Sequence, residues 1–187
     1  MADVPSEVPC VLVVMGVSGS GKSTIAAMLA NRLQWVYEDG DWFHPKANVE
    51  KMHKGEPLTD EDRGPWLRAI ASWIDDTLQA GGHGIVACSA LKRAYRDILV
   101  GQHRDVRIVF LQGDKDLIGR RIAARDDHFM PASLLDSQFA ALEEPAPDEH
   151  PIVVSIAPHP RQIVDAIVKK LDIGAAKAAD KTPSPAR

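Results

Sequence analysis

The chain has 187 residues, a length that fits one domain with a sizeable buried core. Hydrophobic residues at 45% and charged residues at 26% are ordinary for a globular protein in water, and a formal net charge of −4 argues against a general nucleic-acid binder, which carries a basic surplus. No apolar run reaches membrane-spanning length, and the only two cysteines, Cys10 and Cys88, are isolated at apolar positions, which excludes a disulfide framework and a zinc pattern. The first nine residues are acidic and contain proline, unlike a secretory leader, so the expected setting is the cytoplasm, with no membrane and no nucleic acid among the partners.

In chain order, residues 1–9 read as a flexible lead-in. Residues 11–15 are short, apolar and partly β-branched, as in a buried strand. Gly16-Val17-Ser18-Gly19-Ser20-Gly21-Lys22-Ser23 follows, which is glycine, four residues, then Gly-Lys-Ser. Thr24 opens a helical run through residue 33, with Ile25, Met28, Leu29 and Leu33 in phase. Strand, glycine-rich loop and helix form the context of a phosphate loop: backbone N–H groups turn in on phosphate oxygens, Lys22 reaches the outer phosphates and the Ser23 hydroxyl ligates Mg²⁺.

Residues 35–38 read as a second strand that ends in Asp39-Gly40-Asp41. Two carboxylates two apart on extended chain face one side, so one is available to metal-bound water and one to a phosphoryl acceptor; an ordinary acidic turn is the plain alternative. His44 follows, fit either to hydrogen-bond a polar acceptor or to be a loop residue before proline. Residues 46–54 read as a polar stretch. Thr59 and Asp62 form a helix-start signature ahead of the stripe Trp66, Leu67, Ile70, Trp73, Ile74 and Leu78, which reads as core packing. Arg63 in that start either pairs with neighbouring acids or binds an acidic acceptor through its fork. Residues 84–88 give a third strand, with Ser89 and Lys92 opening a helix through residue 99.

A fourth strand over 106–111 precedes a helix over 114–124, where Arg121 and Arg125 are spaced to share a face and to stabilise charge on a transferring phosphoryl group. The polar segment 126–131 reads as part of a lid spanning about 121–135. A helix over 132–142, a strand over 152–156 and a closing helix over 160–171 complete a domain of residues 10–173, and 174–187 read as a disordered tail. Alternating strands and helices predict a mainly parallel sheet with helices on both faces and ligands beyond the strands' carboxyl ends.

These residues resemble the small phosphate-loop gluconokinases. The specific blocks are Asp39-Gly40-Asp41-Trp42-Phe43-His44-Pro45, Gly55-Glu56-Pro57-Leu58, Pro65-Trp66-Leu67, Cys88-Ser89-Ala90-Leu91-Lys92 and His128-Phe129-Met130-Pro131, with the match running over residues 11–171. One departure is Asp127, where the family tends to carry glycine. The resemblance implies a three-layer α/β/α kinase fold like that of shikimate kinase, with a five-stranded parallel sheet in the order 2-3-1-4-5 and a small lid. It implies ATP and Mg²⁺ as cofactors and gluconate as the small-molecule substrate, phosphorylated at its 6-hydroxyl for gluconate catabolism. Family members are often dimeric, so it also admits a homodimer. By position it gives gluconate hydroxyls to Asp41 and His44, the carboxylate to Arg63, weaker substrate roles to Lys92 and Gln138, Mg²⁺ to Ser23 and Asp39, and adenine and lid roles to Arg121 and Arg125. Asp41 orients the acceptor hydroxyl or takes its proton, and Lys22 and Arg125 stabilise the transferring charge. The rival readings are a kinase for shikimate or another polyhydroxy acid, and a regulator that holds nucleotide without catalysis.

Overall fold

A computed structural model of the chain describes residues 10–54, 56–124 and 132–179, apart from the side chains of 132–134 and 172–179. Five parallel strands form one sheet in the order β2-β3-β1-β4-β5, namely β1 (Cys10–Met15), β2 (Val36–Asp39), β3 (His83–Ala87), β4 (Val106–Gln112) and β5 (Ile152–Ser155). Every neighbouring pair is parallel, as the alternation of strands and helices requires.

β1 lies at the centre and shows how the sequence sorts itself onto two faces. Leu12 and Val14 join the core beneath α1 (Lys22–Leu33) and α7 (Pro160–Ala179), with Ile25, Leu29, Ile163 and Ile167. Val11, Val13 and Met15 point the other way, against Trp66, Leu67, Ile70 and Ile74 of α3 (Asp60–Gln79) and Tyr95 and Leu99 of α4 (Arg93–Val100). The period of two along a strand makes this division, and a strand covered on both faces is apolar throughout.

α3 begins on the expected device. The Asp62 N–H donates to Thr59 Oγ1 at 3.2 Å and the Thr59 N–H to Asp62 Oδ2 at 2.9 Å, closing a capping box. Lys51 Nζ adds a bond to each Asp62 oxygen at 2.8 Å, and with the Thr59 N–H it holds the carboxyl at about 2. The helix runs on through Pro65, giving up one backbone bond in its second turn.

Apart from shifts of one or two residues at element ends, the structure differs from the sequence reading as follows. Residues 46–53, expected as a polar stretch, form α2 (Lys46–His53), whose weak apolar stripe hides it from a periodicity reading. α4 starts at Arg93, so Ser89 lies in the connection and Lys92 is the residue before the helix. α7 continues to Ala179, past the expected end at 171, through a run in which alanine favours helix. α5 (Lys115–Ala123) and α6 (Ala132–Ala141) flank residues 125–131, the middle of the expected lid of about 121–135, which lie outside the described residues.

Among the described residues, one charged side chain is fully inside. Arg96 of α4 pairs with Glu149, Nε to Oε2 at 2.6 Å and Nη2 to Oε1 at 3.0 Å, and its Nη1 donates to the carbonyls of Ala90, Leu91 and Glu143. Ala90 is left-handed at φ 44°, and this bonding holds the connection after β3 in shape. Arg96→Leu leaves the half-buried Glu149 carboxylate and the carbonyls of Ala90, Leu91 and Glu143 without their donor, and urea unfolding should show a loss of about 3–5 kcal/mol. The guanidinium lowers the Glu149 pKa in the native state, so the pair's contribution is complete above 4.5, the ordinary value, and fades as pH falls through the lower native value. In the variant this acid-side loss should be missing from the pH–stability curve.

Candidate functional site

The carboxyl ends of β1, β2 and β3 bring the phosphate loop, the acidic turn and the Cys88-Ser89 connection around one cavity of about 430 Å³. Ser18, Gly19, Gly21, Lys22, Ser23 and Thr24 line one side; Asp39, Asp41, Cys88 and Ser89 line the other. The loop's shape needs glycine where φ is positive. A Cβ at Gly16, φ 147°, would stand 2.8 Å from Ser20 Oγ and 3.0 Å from the Leu111 carbonyl. Gly21, φ 95°, caps α1 without a side-chain bond, so the first N–H groups of the helix face the cavity side of the loop free of a capping side chain. The Lys22 ammonium donates to the Val17 carbonyl at 3.1 Å, which arches the side chain over the loop.

The acidic turn is tied to this loop. The Ser23 hydroxyl donates to Asp39 Oδ2 at 2.8 Å, and the Tyr37 hydroxyl donates to the same oxygen at 3.0 Å. The Asp41 N–H donates to Asp39 Oδ1 at 3.1 Å, closing a short turn that puts Asp41 on the cavity wall. Burial, and then the Asp39 charge, push Tyr37 up to about 12, so it stays a donor. Tyr37 has the same strand parity as Asp39, a signal present in the sequence but not used there.

Gly40 sits between the two carboxylates and is buried. A Cβ there would stand 2.4 Å from the Ala87 carbonyl, so only glycine lets the turn lie on the end of β3. The Trp66 indole N–H donates to the Gly40 carbonyl at 2.6 Å. The same indole stacks on His44, centroids 4.3 Å apart and planes 12° apart. Trp66, expected as core packing, is core and also touches the site; its partner lies too far along the chain for sequence spacing to reveal.

His44 faces Asn48, which is buried. The Asn48 amide nitrogen donates to the Asp62 carbonyl at 2.8 Å and lies 3.4 Å from His44 Nδ1. Nδ1 is therefore the accepting nitrogen and Nε2 carries the proton. Burial is the main cause that lowers the His44 pKa; Arg63 adds to it and Asp41 opposes it. The neutral ring is a donor through Nε2–H.

The expected cations converge on one carboxylate. Lys92 Nζ reaches Asp60 Oδ2 at 2.7 Å, Arg63 Nη1 stands 3.8 Å from Asp60 Oδ1, and the Tyr95 hydroxyl donates to Asp60 Oδ1. Arg63 also donates to the Leu58 carbonyl at 2.5 Å, and both cations lie over the Tyr95 ring at 6.0 and 5.5 Å. Lys92, at the N-cap of α4 where the sequence placed it, thus also bonds across to α3.

Gln138 lines the phosphate-loop cavity, its Oε1 accepting the Ser18 N–H at 2.6 Å, so its contact is with the loop where a substrate role was expected. Arg121 Nη2 donates to the Ile156 carbonyl at 2.6 Å, beyond β5. α5 ends at Ala123, and Arg125, expected to share a face with Arg121, lies outside the described residues. Of the two thiols, Cys88 is buried beside the site and Cys10 half-buried at the start of β1, and burial raises them to about 12 and about 11. Among the described residues no helix is long and apolar enough to cross a membrane. No group of three or more His, Cys, Asp or Glu able to hold a metal occurs among them either.

A family model described as an AAA domain matches residues 11–145. The chain is 47% identical over 161 residues to a gluconokinase of Gluconobacter oxydans (strain 621H), covering 86% of this chain and 90% of that protein. It is 42% identical over 144 residues to the thermoresistant gluconokinase of Escherichia coli (strain K12), covering 77% and 82%. Among solved structures, a gluconokinase from Sinorhizobium meliloti 1021 superposes with TM-score 0.85 at 38% identity, covering 94% of this chain and 98% of that one. A shikimate kinase from Aquifex aeolicus superposes at TM-score 0.56 and 15% identity, a likeness of fold alone.

The geometry around Gly40 separates the two halves of the cavity. Gly40→Ala should leave nucleotide affinity within about twofold by calorimetry, because the added Cβ meets Ala87 and Cys88 and no atom of the phosphate loop. Transfer to the acceptor should fall by at least about tenfold, because the displaced turn carries Asp41.

Proposed function

The chain belongs to the gluconokinase family, and from that premise we propose how it phosphorylates D-gluconate with ATP, at the terminal 6-hydroxyl. The observation that carries the residue assignment is the Ser23–Asp39 bond at 2.8 Å, which locks the acidic turn to the start of the phosphate-loop helix and leaves Asp41 beside it on the same cavity wall.

On this reading the loop N–H groups and Lys22 hold the triphosphate. The Ser23 hydroxyl and the Asp39 carboxylate offer two hard oxygens, a set that suits Mg²⁺, which takes one or two protein oxygens and completes its shell with water and phosphate. The ion, when bound, neutralises charge on the phosphates. Asp41 receives the proton of the acceptor hydroxyl as its oxygen bonds to the γ-phosphorus and the bond from that phosphorus to the ADP oxygen breaks. Lys22 and Arg125 offset the charge on the phosphoryl group in flight.

His44 donates through Nε2–H to an acceptor hydroxyl, and its lowered pKa keeps it in that neutral form at pH 7. Arg63 supplies the cation for the gluconate carboxylate, with Lys92 close by through Asp60. Gln138 flanks the loop at Ser18, and Arg121 serves the adenine end of the nucleotide.

ADP release measured with gluconate, shikimate, glucose and AMP tests the reading; the expected result is turnover with gluconate well above the no-acceptor background. Turnover with shikimate and none with gluconate would sink it. Asp41→Asn should lower kcat by at least about a hundredfold while ATP affinity stays within about twofold.

A further inference from the structure

We propose that Trp66 is a positioning residue for the acceptor side of the reaction, setting the Asp39-Gly40-Asp41 turn through its indole N–H and the His44 ring through its face. The two contacts come from one buried side chain, 4% exposed, that lines no part of the cavity. A core position asks only for apolar volume, which leucine or phenylalanine supplies. An indole here brings a donor that needs a partner out of water, and the Gly40 carbonyl, at 2.6 Å, is that partner.

The turn is held from two sides. Beneath Gly40 the Ala87 carbonyl comes so close that a Cβ would stand 2.4 Å from it. From α3 the Trp66 N–H fixes the direction of the Gly40 carbonyl. With that peptide fixed, its neighbour Asp41 cannot swing without breaking a bond. The second contact works on His44. A ring stacked at 4.3 Å and 12° can turn only if the indole moves, and the Asn48 bond to Nδ1 sets which edge points outward. Arg63 lies three residues before Trp66 on the same helix. A single rigid element, α3, thereby sets Asp41, His44 and Arg63 in one register.

The inference rests on the reading of Asp41 and His44 as acceptor residues. Its test uses full-length variants and steady-state kinetics with both substrates varied. Trp66→Phe keeps a ring against His44 and removes the N–H; Trp66→Leu removes both. Ile70→Val, one turn further along α3 and fully buried, measures the effect of a core defect alone. Trp66→Phe should lower kcat about tenfold with the ATP KM within about twofold. Trp66→Leu should in addition raise the gluconate KM about tenfold, while Ile70→Val leaves all three parameters within about twofold.

A protein that is merely part-unfolded loses apparent kcat and keeps its KM for gluconate. An unchanged gluconate KM in Trp66→Leu, or an equal rise in both KM values, therefore overturns the assignment. Wild-type turnover of gluconate that the Trp66 variants leave intact removes Trp66 alone; an unmodified protein that does not phosphorylate gluconate removes the parent reading with it.

Discussion

β1 hydrogen-bonds to β3 along one edge and to β4 along the other, and all its residues from Val11 to Met15 are out of water. A strand buried on both faces and both edges cannot slip by one residue without turning its whole apolar set over. Its carboxyl end therefore delivers Gly16 to one place, and the loop that follows can be built with positive φ angles at glycine. Parallel pairing then brings the ends of β2 and β3 to the same rim, which is where Asp39 and Ala87 meet across Gly40.

The parts of the site that travel with local sequence are those legible in it. The phosphate loop is a contiguous motif between a strand and a helix, and its residues line the cavity as a group. Asp39 and Asp41 follow from a strand end on the ligand-binding rim. The capping box at Thr59 and Asp62 is a four-residue pattern, and the structure contains both of its bonds. The sheet order was implied by resemblance, since alternating elements alone leave several orders open, and it agrees with the structure.

Other features depend on partners distant in the chain. Trp66 reaches Gly40, Lys92 reaches Asp60 and Gln138 reaches Ser18; no spacing rule connects any of these pairs. α2 escaped notice for a different reason. A short helix with few apolar residues is held by its ends and by Asn48 and Lys51 bonding to Asp62, so its signal is polar and looks like loop. The pairing of Arg121 with Arg125 rests on spacing alone, because Arg125 lies outside the described residues.

The buried Arg96 also bears on how the native state opens. Its guanidinium joins α4 to the connection after β3, to Glu143 beyond α6 and to Glu149. Glu143 in turn accepts the Arg93 N–H at 2.6 Å and donates its own N–H to the Leu91 carbonyl at 2.8 Å. A charge held this way cannot be handed to water piecemeal, because freeing any one partner strands the others. These segments are accordingly expected to open as one cooperative unit, which amide hydrogen exchange would read as a common opening free energy. Cys88 and Ser89 run straight into that unit from the cavity wall, so the acceptor side of the cavity is tied to its opening.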